Sequence, residues 1–165
     1  MMISKKMVDS INDQIKNEFY SSWIYLAMAY RFEEMNLKVF AKWFYRQADE
    51  ERAHAFKFAK YLLDQGAEVK LSSLDQPKSD YKTAEEICSV AVEHEIFITN
   101  KINELVDLAK KDNDHATFNF LQWFVEEQVE EVASTSELLE MVKMASSPSQ
   151  LFMLEGRLYH MIEGK

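Results

Sequence analysis

Apolar residues recur along most of this chain in alternating steps of three and four, the spacing that lines them up on one side of an α-helix. Four long stripes stand out. One, over about residues 5–34, reads Val8, Ile11, Ile15, Glu18, Ser22, Tyr25, Ala29, Phe32. The second, over 38–65, reads Ala41, Phe44, Ala48, Glu51, Ala55, Phe58, Leu62, with Leu37 just ahead of it. A third, over 83–111, reads Ala84, Cys88, Ala91, Glu95, Ile98, Ile102, Leu105, Ala109, and a fourth, over 114–143, reads Leu121, Val125, Gln128, Val132, Thr135, Leu139, Val142. A short fifth helix over 148–162 carries Leu151, Leu154, Leu158 and Ile162. The helix ends carry their own signals. Thr83-Ala-Glu-Glu86 is a capping box, Asn113 or Asp114 caps the fourth helix, and Ser147-Pro148-Ser149-Gln150 opens the fifth. Gly66 suits the C-terminal cap of the second.

The links between stripes set the topology. Met35 to Leu37 is short, so the first two helices are antiparallel neighbours. Ala67 to Lys82 has no helical period and contains Pro77. Extended, at about 3.3 Å per residue, it can return along the whole length of a helix pair. The expected fold is therefore an all-α four-helix bundle, up, down, down, up, with one long crossover. The fifth helix has no vacancy in such a bundle, so it should pack outside, at a subunit contact or against one end.

Composition agrees and narrows the function classes. The 165 residues suffice for one domain with a sizeable core, and three glycines and two prolines are too few for an all-β fold. A formal net charge of −9 argues against nucleic acid as a partner. The single cysteine, Cys88, excludes an intrachain disulfide and any cysteine-rich metal module, and reads as a buried inert thiol. No run of about twenty apolar residues spans a membrane, and the first residues lack the apolar stretch of a signal peptide, so a cytoplasmic protein is expected.

The chemistry lies where the stripes are interrupted. Each long helix has one polar residue on its apolar seam: Glu18, Glu51, Glu95 and Gln128. Each sits about thirteen residues from its helix start, so all four fall in one layer of the bundle. Glu18 to Glu51 and Glu95 to Gln128 are both 33 residues, as if one helical hairpin had been copied. His54 lies three residues after Glu51, and Glu131 three after Gln128, on the same helix sides. A buried, unpaired carboxylate costs several kcal/mol by order of magnitude, so this layer needs a cation. Carboxylates with one imidazole suit iron or manganese, and two divalent ions would neutralise the crowd. Glu51 is the natural bridge between them. Tyr25 reads as a core tyrosine bonding a carboxylate, with a redox role as the alternative. His94, beside Glu95, is expected at a surface or interface; His115 is expected to be solvated, and His160 has no evident role.

The segments NEFYSSWIYLAM (17–28), DEERAH (49–54), EHEIFITNKINEL (93–105) and TFNFLQWFVEEQVEE (117–131) resemble bacterial non-haem ferritins, and the likeness runs nearly the whole chain. Helix bundles with inward Glu-x-x-His pairs are a known trait of such carboxylate proteins. The resemblance implies a subunit of a twenty-four-subunit cage that oxidises iron(II) with O₂ inside each bundle and stores ferric oxide-hydroxide. It implies one iron held by Glu18, Glu51 and His54, and a second by Glu51, Glu95 and Glu131 with Gln128 alongside. A third site would use Glu50, Glu127 and Glu130, with Glu131 shared. Haem-binding relatives carry Glu-x-x-His on the fourth helix and a methionine after the bridging glutamate; here Gln128 to Glu131 and Arg52 stand there, so no haem is expected. Paired Cys-x-x-Cys, as in rubrerythrins, is missing, and the fifth helix sets the chain apart from the small DNA-protecting relatives. The competing reading is a scaffold subunit that fills a cage without oxidising iron. An intact acidic layer speaks against it.

Overall fold

The computed structural model describes residues 3–164. It consists of five helices: α1 (Lys5–Glu34), α2 (Lys38–Asp64), α3 (Ala84–Lys111), α4 (His115–Lys143) and α5 (Pro148–Glu163). Side-chain caps start most of them. Ser4 Oγ accepts from the N–H of Met7, Thr83 Oγ1 from Glu86, Asp114 from Thr117 and Ser147 Oγ from Gln150. In the two predicted boxes the return bond falls one residue early: Glu86 accepts from the N–H of Lys82, and Gln150 from that of Ser146. Asn36, Gly66 and Asn113 adopt positive φ and end α1, α2 and α3. In each case the next residue's N–H returns to a carbonyl in the last turn, as from Leu37 to Phe32.

Two apolar clusters fill the bundle and reveal the direction of every helix. One joins the start of α1 (Met7, Ile11, Ile15) with the end of α2 (Phe58, Leu62), the end of α3 (Ile102, Leu105) and the start of α4 (Leu121, Phe124). The other joins the end of α1 (Ala29, Phe32), the start of α2 (Phe40, Phe44), the start of α3 (Ile87, Cys88), the end of α4 (Leu139, Val142) and α5 (Leu158, Ile162). Helices 1 and 4 therefore run one way and helices 2 and 3 the other, the expected up, down, down, up order. Among the described residues, close backbone approaches join α1 to α2, α3 to α4 and α1 to α3, but not α2 to α4. Those two are bridged by large side chains, with the rings of Phe58 and Phe124 stacked at 3.9 Å. The crossover is pinned to α1 at both ends. The Asn12 amide donates to the Glu68 carbonyl (3.0 Å) and its Oδ1 accepts from the N–H of Lys70 (2.7 Å), while Arg31 Nε donates to the Tyr81 carbonyl (2.7 Å).

One expectation is corrected and another is refined. Val125 and Val132 are only half-buried; α4 is rotated so that Phe124, Glu131 and Leu138 face inward instead. His94 is half-buried, with an inner contact the spacing did not suggest. It is tucked between α1 and α3, with Nε2 2.7 Å from Ser21 Oγ and its ring edge-on to Tyr25 at 6.2 Å. Burial pushes its pKa down to about 4, so it is neutral at physiological pH. His115 is exposed, as expected, and His160 is exposed too. Cys88 is buried, and burial pushes its thiol pKa well up, as an inert thiol requires.

The fifth helix packs against one end of the bundle, on α2 and α4. Its Glu155, which the apolar pattern gave no reason to notice, is buried and accepts from the N–H groups of Val39 (2.6 Å) and Phe40 (3.3 Å). Leu37, at the N-cap of α2, provides no side-chain cap of its own. A carboxylate from α5 thus fills the capping role for α2.

Candidate metal centre

The polar layer lies between the two apolar clusters. Glu18, Glu51, Glu95, Gln128, His54 and Glu131 are all buried, as is Tyr25. Their helices bring them there because the four seams cross the bundle axis at the same height. Among the described residues, two groups of three donors have ligand atoms within 4.8 Å of one another: Glu18, Glu51 and His54, and His54, Glu127 and Glu131. His54 Nδ1 is 3.5 Å from Glu51 Oε2 and 4.0 Å from Glu18 Oε2; its Nε2 is 3.9 Å from Glu127 Oε1. The imidazole therefore faces both groups. Sequence reasoning placed Glu127 with the third site and did not foresee that link. Glu95 belongs to neither tight group. Its Oε1 accepts from the Tyr25 hydroxyl and its Oε2 from the Gln128 amide (3.1 Å), which also reaches Thr99 Oγ1 (3.2 Å).

The carboxylates differ in what satisfies them. Glu18 Oε2 and both oxygens of Glu51 are buried without a hydrogen-bond partner. Orphaned anionic oxygens of this kind are rare in folded proteins and fit a cation that binds there. Burial is the first cause that raises the pKa of Glu18 well above the usual carboxylate value, with Glu51 the next. Burial and Glu95 raise that of Glu51 well up. Burial raises Glu95 too, opposed by the donors Tyr25 and Gln128. Glu131 is pushed up to about 8 by burial, then by Glu95 and Glu50. Tyr25 is raised well above its ordinary value by burial and by Glu95 and Glu51, so it remains a phenol that donates.

Two glutamines were missed. Gln14 Nε2 donates to Glu18 Oε1 (2.8 Å), and Gln47 Nε2 donates to Glu131 Oε2 (2.7 Å) across the α2–α4 gap. Each lies one turn before a seam glutamate, a signal that helical spacing alone could have supplied. On the open side of the layer, α2, α4 and α5 leave a cleft of ≈ 250 Å³ lined by Glu50, Glu127, Glu130, Glu131, Glu137 and Arg46, among others. The predicted third-site residues thus meet in one place. Arg46 Nε donates to Glu50 Oε1 at 3.1 Å, and Glu130 is exposed. Arg52 is exposed and pairs with Asp49 at 3.0 Å.

Residues 8–145 match the Ferritin family, a ferritin-like domain. The chain is 36% identical over 151 residues to a bacterial non-heme ferritin of Bacteroides fragilis, covering 92% of this chain and 95% of that protein. It is 37% identical over 155 residues to a probable bacterial non-heme ferritin-like protein of Haemophilus influenzae, covering 93% and 94%. Among solved structures it is similar to an open pore ferritin from the archaeon Archaeoglobus fulgidus, with a TM-score of 0.93, 39% identity and coverage of 95% and 96%.

Proposed function

The chain belongs to the ferritin family, and from that premise we propose that it is an iron store with ferroxidase activity. The observation that carries the chemistry is the set of orphaned oxygens on Glu18 and Glu51 beside His54. Iron(II) is the substrate. One ion is held by Glu18, Glu51 and His54, the second by Glu51, Glu95 and Glu131 with Gln128 beside it, and Glu51 bridges them. Two ferrous ions release one electron each, O₂ takes both electrons and two protons, and the products are two ferric ions and hydrogen peroxide. Glu50, Glu127 and Glu130, with Glu131 shared, form a more exposed third site on the cleft that passes iron between the pair and the store. Tyr25 holds Glu95 in place through its hydroxyl.

Assembly into a twenty-four-subunit cage is part of the same proposal. It is supported by large apolar side chains left exposed on a single subunit, among them Trp23, Tyr30, Phe56, Phe152 and Met153, which suit contacts with further copies. No haem is part of the account, since Arg52 offers no ligand. Among the described residues, no helix is long and apolar enough to cross a membrane.

The test combines size and chemistry. Sedimentation should give a particle of about 466 kDa, twenty-four times the 19.4 kDa chain. Replacing Glu51 and His54 together by alanine should leave that particle intact and slow iron(II) oxidation by more than the roughly 10–100-fold typical of outer-shell changes. A monomer as the only species would remove the cage; wild-type oxidation in the double variant would remove the assigned centre.

A further inference from the structure

Gln14 sits in α1 with 2% of its surface exposed, one turn before Glu18. A buried primary amide must place two donors and a carbonyl. Here Nε2 donates to Glu18 Oε1 at 2.8 Å, and the carbonyl accepts from the half-buried Asn17 amide at 3.2 Å. The Glu18 carboxylate, which only accepts, decides which way the Gln14 amide faces, and Asn17 donates to the carbonyl left at the other end. Turned over, its carbonyl would meet the Glu18 carboxylate, a repulsive pairing in place of a bond. The chain of donors therefore runs in one direction, Asn17 to Gln14 to Glu18, and ends on one oxygen of the carboxylate.

The other oxygen, Glu18 Oε2, has no partner and is the one nearest His54 Nδ1. We propose that Gln14 is a positioning residue for iron(II), locking Glu18 so that Oε2 alone is presented to the ion. This rests on Glu18 being a ligand, as proposed above. The contrast with its neighbours sharpens the assignment. Glu51 receives no donor on either oxygen and is free to serve two ions at once. Glu18 has one oxygen fixed and cannot turn to chelate through both without breaking a buried bond. In the second hairpin the residues one turn before Glu95 and Gln128 are Ala91 and Phe124, so no such lock can act there from the same helix.

The experiment is anaerobic binding of cobalt(II), followed by visible absorption and calorimetry on the assembled protein. Gln14→Leu keeps the bulk and removes the donor. It should weaken the tighter cobalt site by about 10–100-fold, the range for lost outer-shell bonds, and alter the cobalt absorption bands as the carboxylate changes its mode of binding. Asn17→Ala, on a half-buried residue, should shift both readouts the same way by a smaller factor. A role in packing alone would lower the melting temperature and leave affinity and bands at wild-type values in both variants, and that result overturns the proposal. If Gln14→Leu fails to assemble, Asn17→Ala decides by the same criteria. If Glu18→Ala binds cobalt as the wild type does, the ligand assignment itself falls and Gln14 with it.

Discussion

In the α1–α2 hairpin, Glu18 keeps one carboxylate oxygen without a partner and Glu51 keeps both. In the α3–α4 hairpin, both oxygens of Glu95 receive donors, from Tyr25 and Gln128, and Glu131 is held by Gln47. The two hairpins set these residues in one layer, and burial raises the pKa of all four carboxylates. What differs is compensation. The first hairpin leaves three buried carboxylate oxygens without a donor, so a cation gains most there. The second contributes charge already answered, so an ion at Glu95 must share it with a phenol and an amide. A polar layer in an apolar core is thus neither uniformly unstable nor uniformly satisfied.

The largest consequence is for stability of the metal-free protein. A carboxylate whose pKa is raised on folding holds its proton in the native state after the unfolded chain has lost it. Stability is unaffected below the unfolded value and falls as pH rises from there toward the folded value. For Glu131 that window runs from about 4.5 to about 8, and Glu18 and Glu51 act in the same direction. Stability of the metal-free protein should therefore drop between about pH 4.5 and 8 by an amount on the order of several kcal/mol. Within that trend the hairpins should separate. Glu51→Gln removes an unanswered charge and should raise stability at pH 8, whereas Glu95→Gln sets an amide against the donors Tyr25 and Gln128 and should lower it. Each shift should be about 1–3 kcal/mol by denaturant titration. Equal shifts of one sign would break the comparison.

A smaller effect follows from the way the helices start. α3 and α4 are capped by their own Thr83 and Asp114, but α2 relies on Glu155 of α5. Glu155→Ala should cost about 1 kcal/mol and loosen α5, seen as faster proteolysis within 148–163. Thermal unfolding and cleavage unchanged from wild type would show that the distant cap contributes nothing. The smallest effect on rate belongs to the cleft. Replacing Glu50, Glu127 and Glu130 together by alanine should leave the pair oxidised rapidly. The Fe:O₂ ratio should fall toward about two, the electron count for reduction to peroxide. Unaltered iron binding and O₂ consumption would make these three ordinary surface charge.

Much of the fold was legible because its signals are local. The stripes of α1, α2 and α3 face inward residue for residue, and the polar interruptions mark the layer. α4 was misjudged by its rotation because it offers two adjacent apolar lines, Phe124 or Val125 and Leu138 or Leu139, between which periodicity cannot choose. Stacking of Phe124 on Phe58 and the bond from Gln47 to Glu131 decide the rotation, and both are contacts with α2. The inner contact of His94 is not legible for a similar reason: its partner, Ser21, lies 73 residues away. The seam residues Glu18, Glu51, Glu95 and Gln128 could be read from spacing. The link of His54 to Glu127 and the locks by Gln14 and Gln47 depend on side-chain directions across helices.

On the proposed function, the unpartnered carboxylate oxygens of the first hairpin, joined by the carboxylates of the second, make a site for two ferrous ions. Anaerobic titration of the metal-free protein with Fe²⁺, followed by one exposure to O₂, counts the ions bound and oxidised per subunit. Two tightly bound ions per subunit that oxidise together are expected, with loss of both when Glu51 and His54 are replaced by alanine. Equal numbers of tightly bound and oxidised ions in the wild type and that double variant would contradict it.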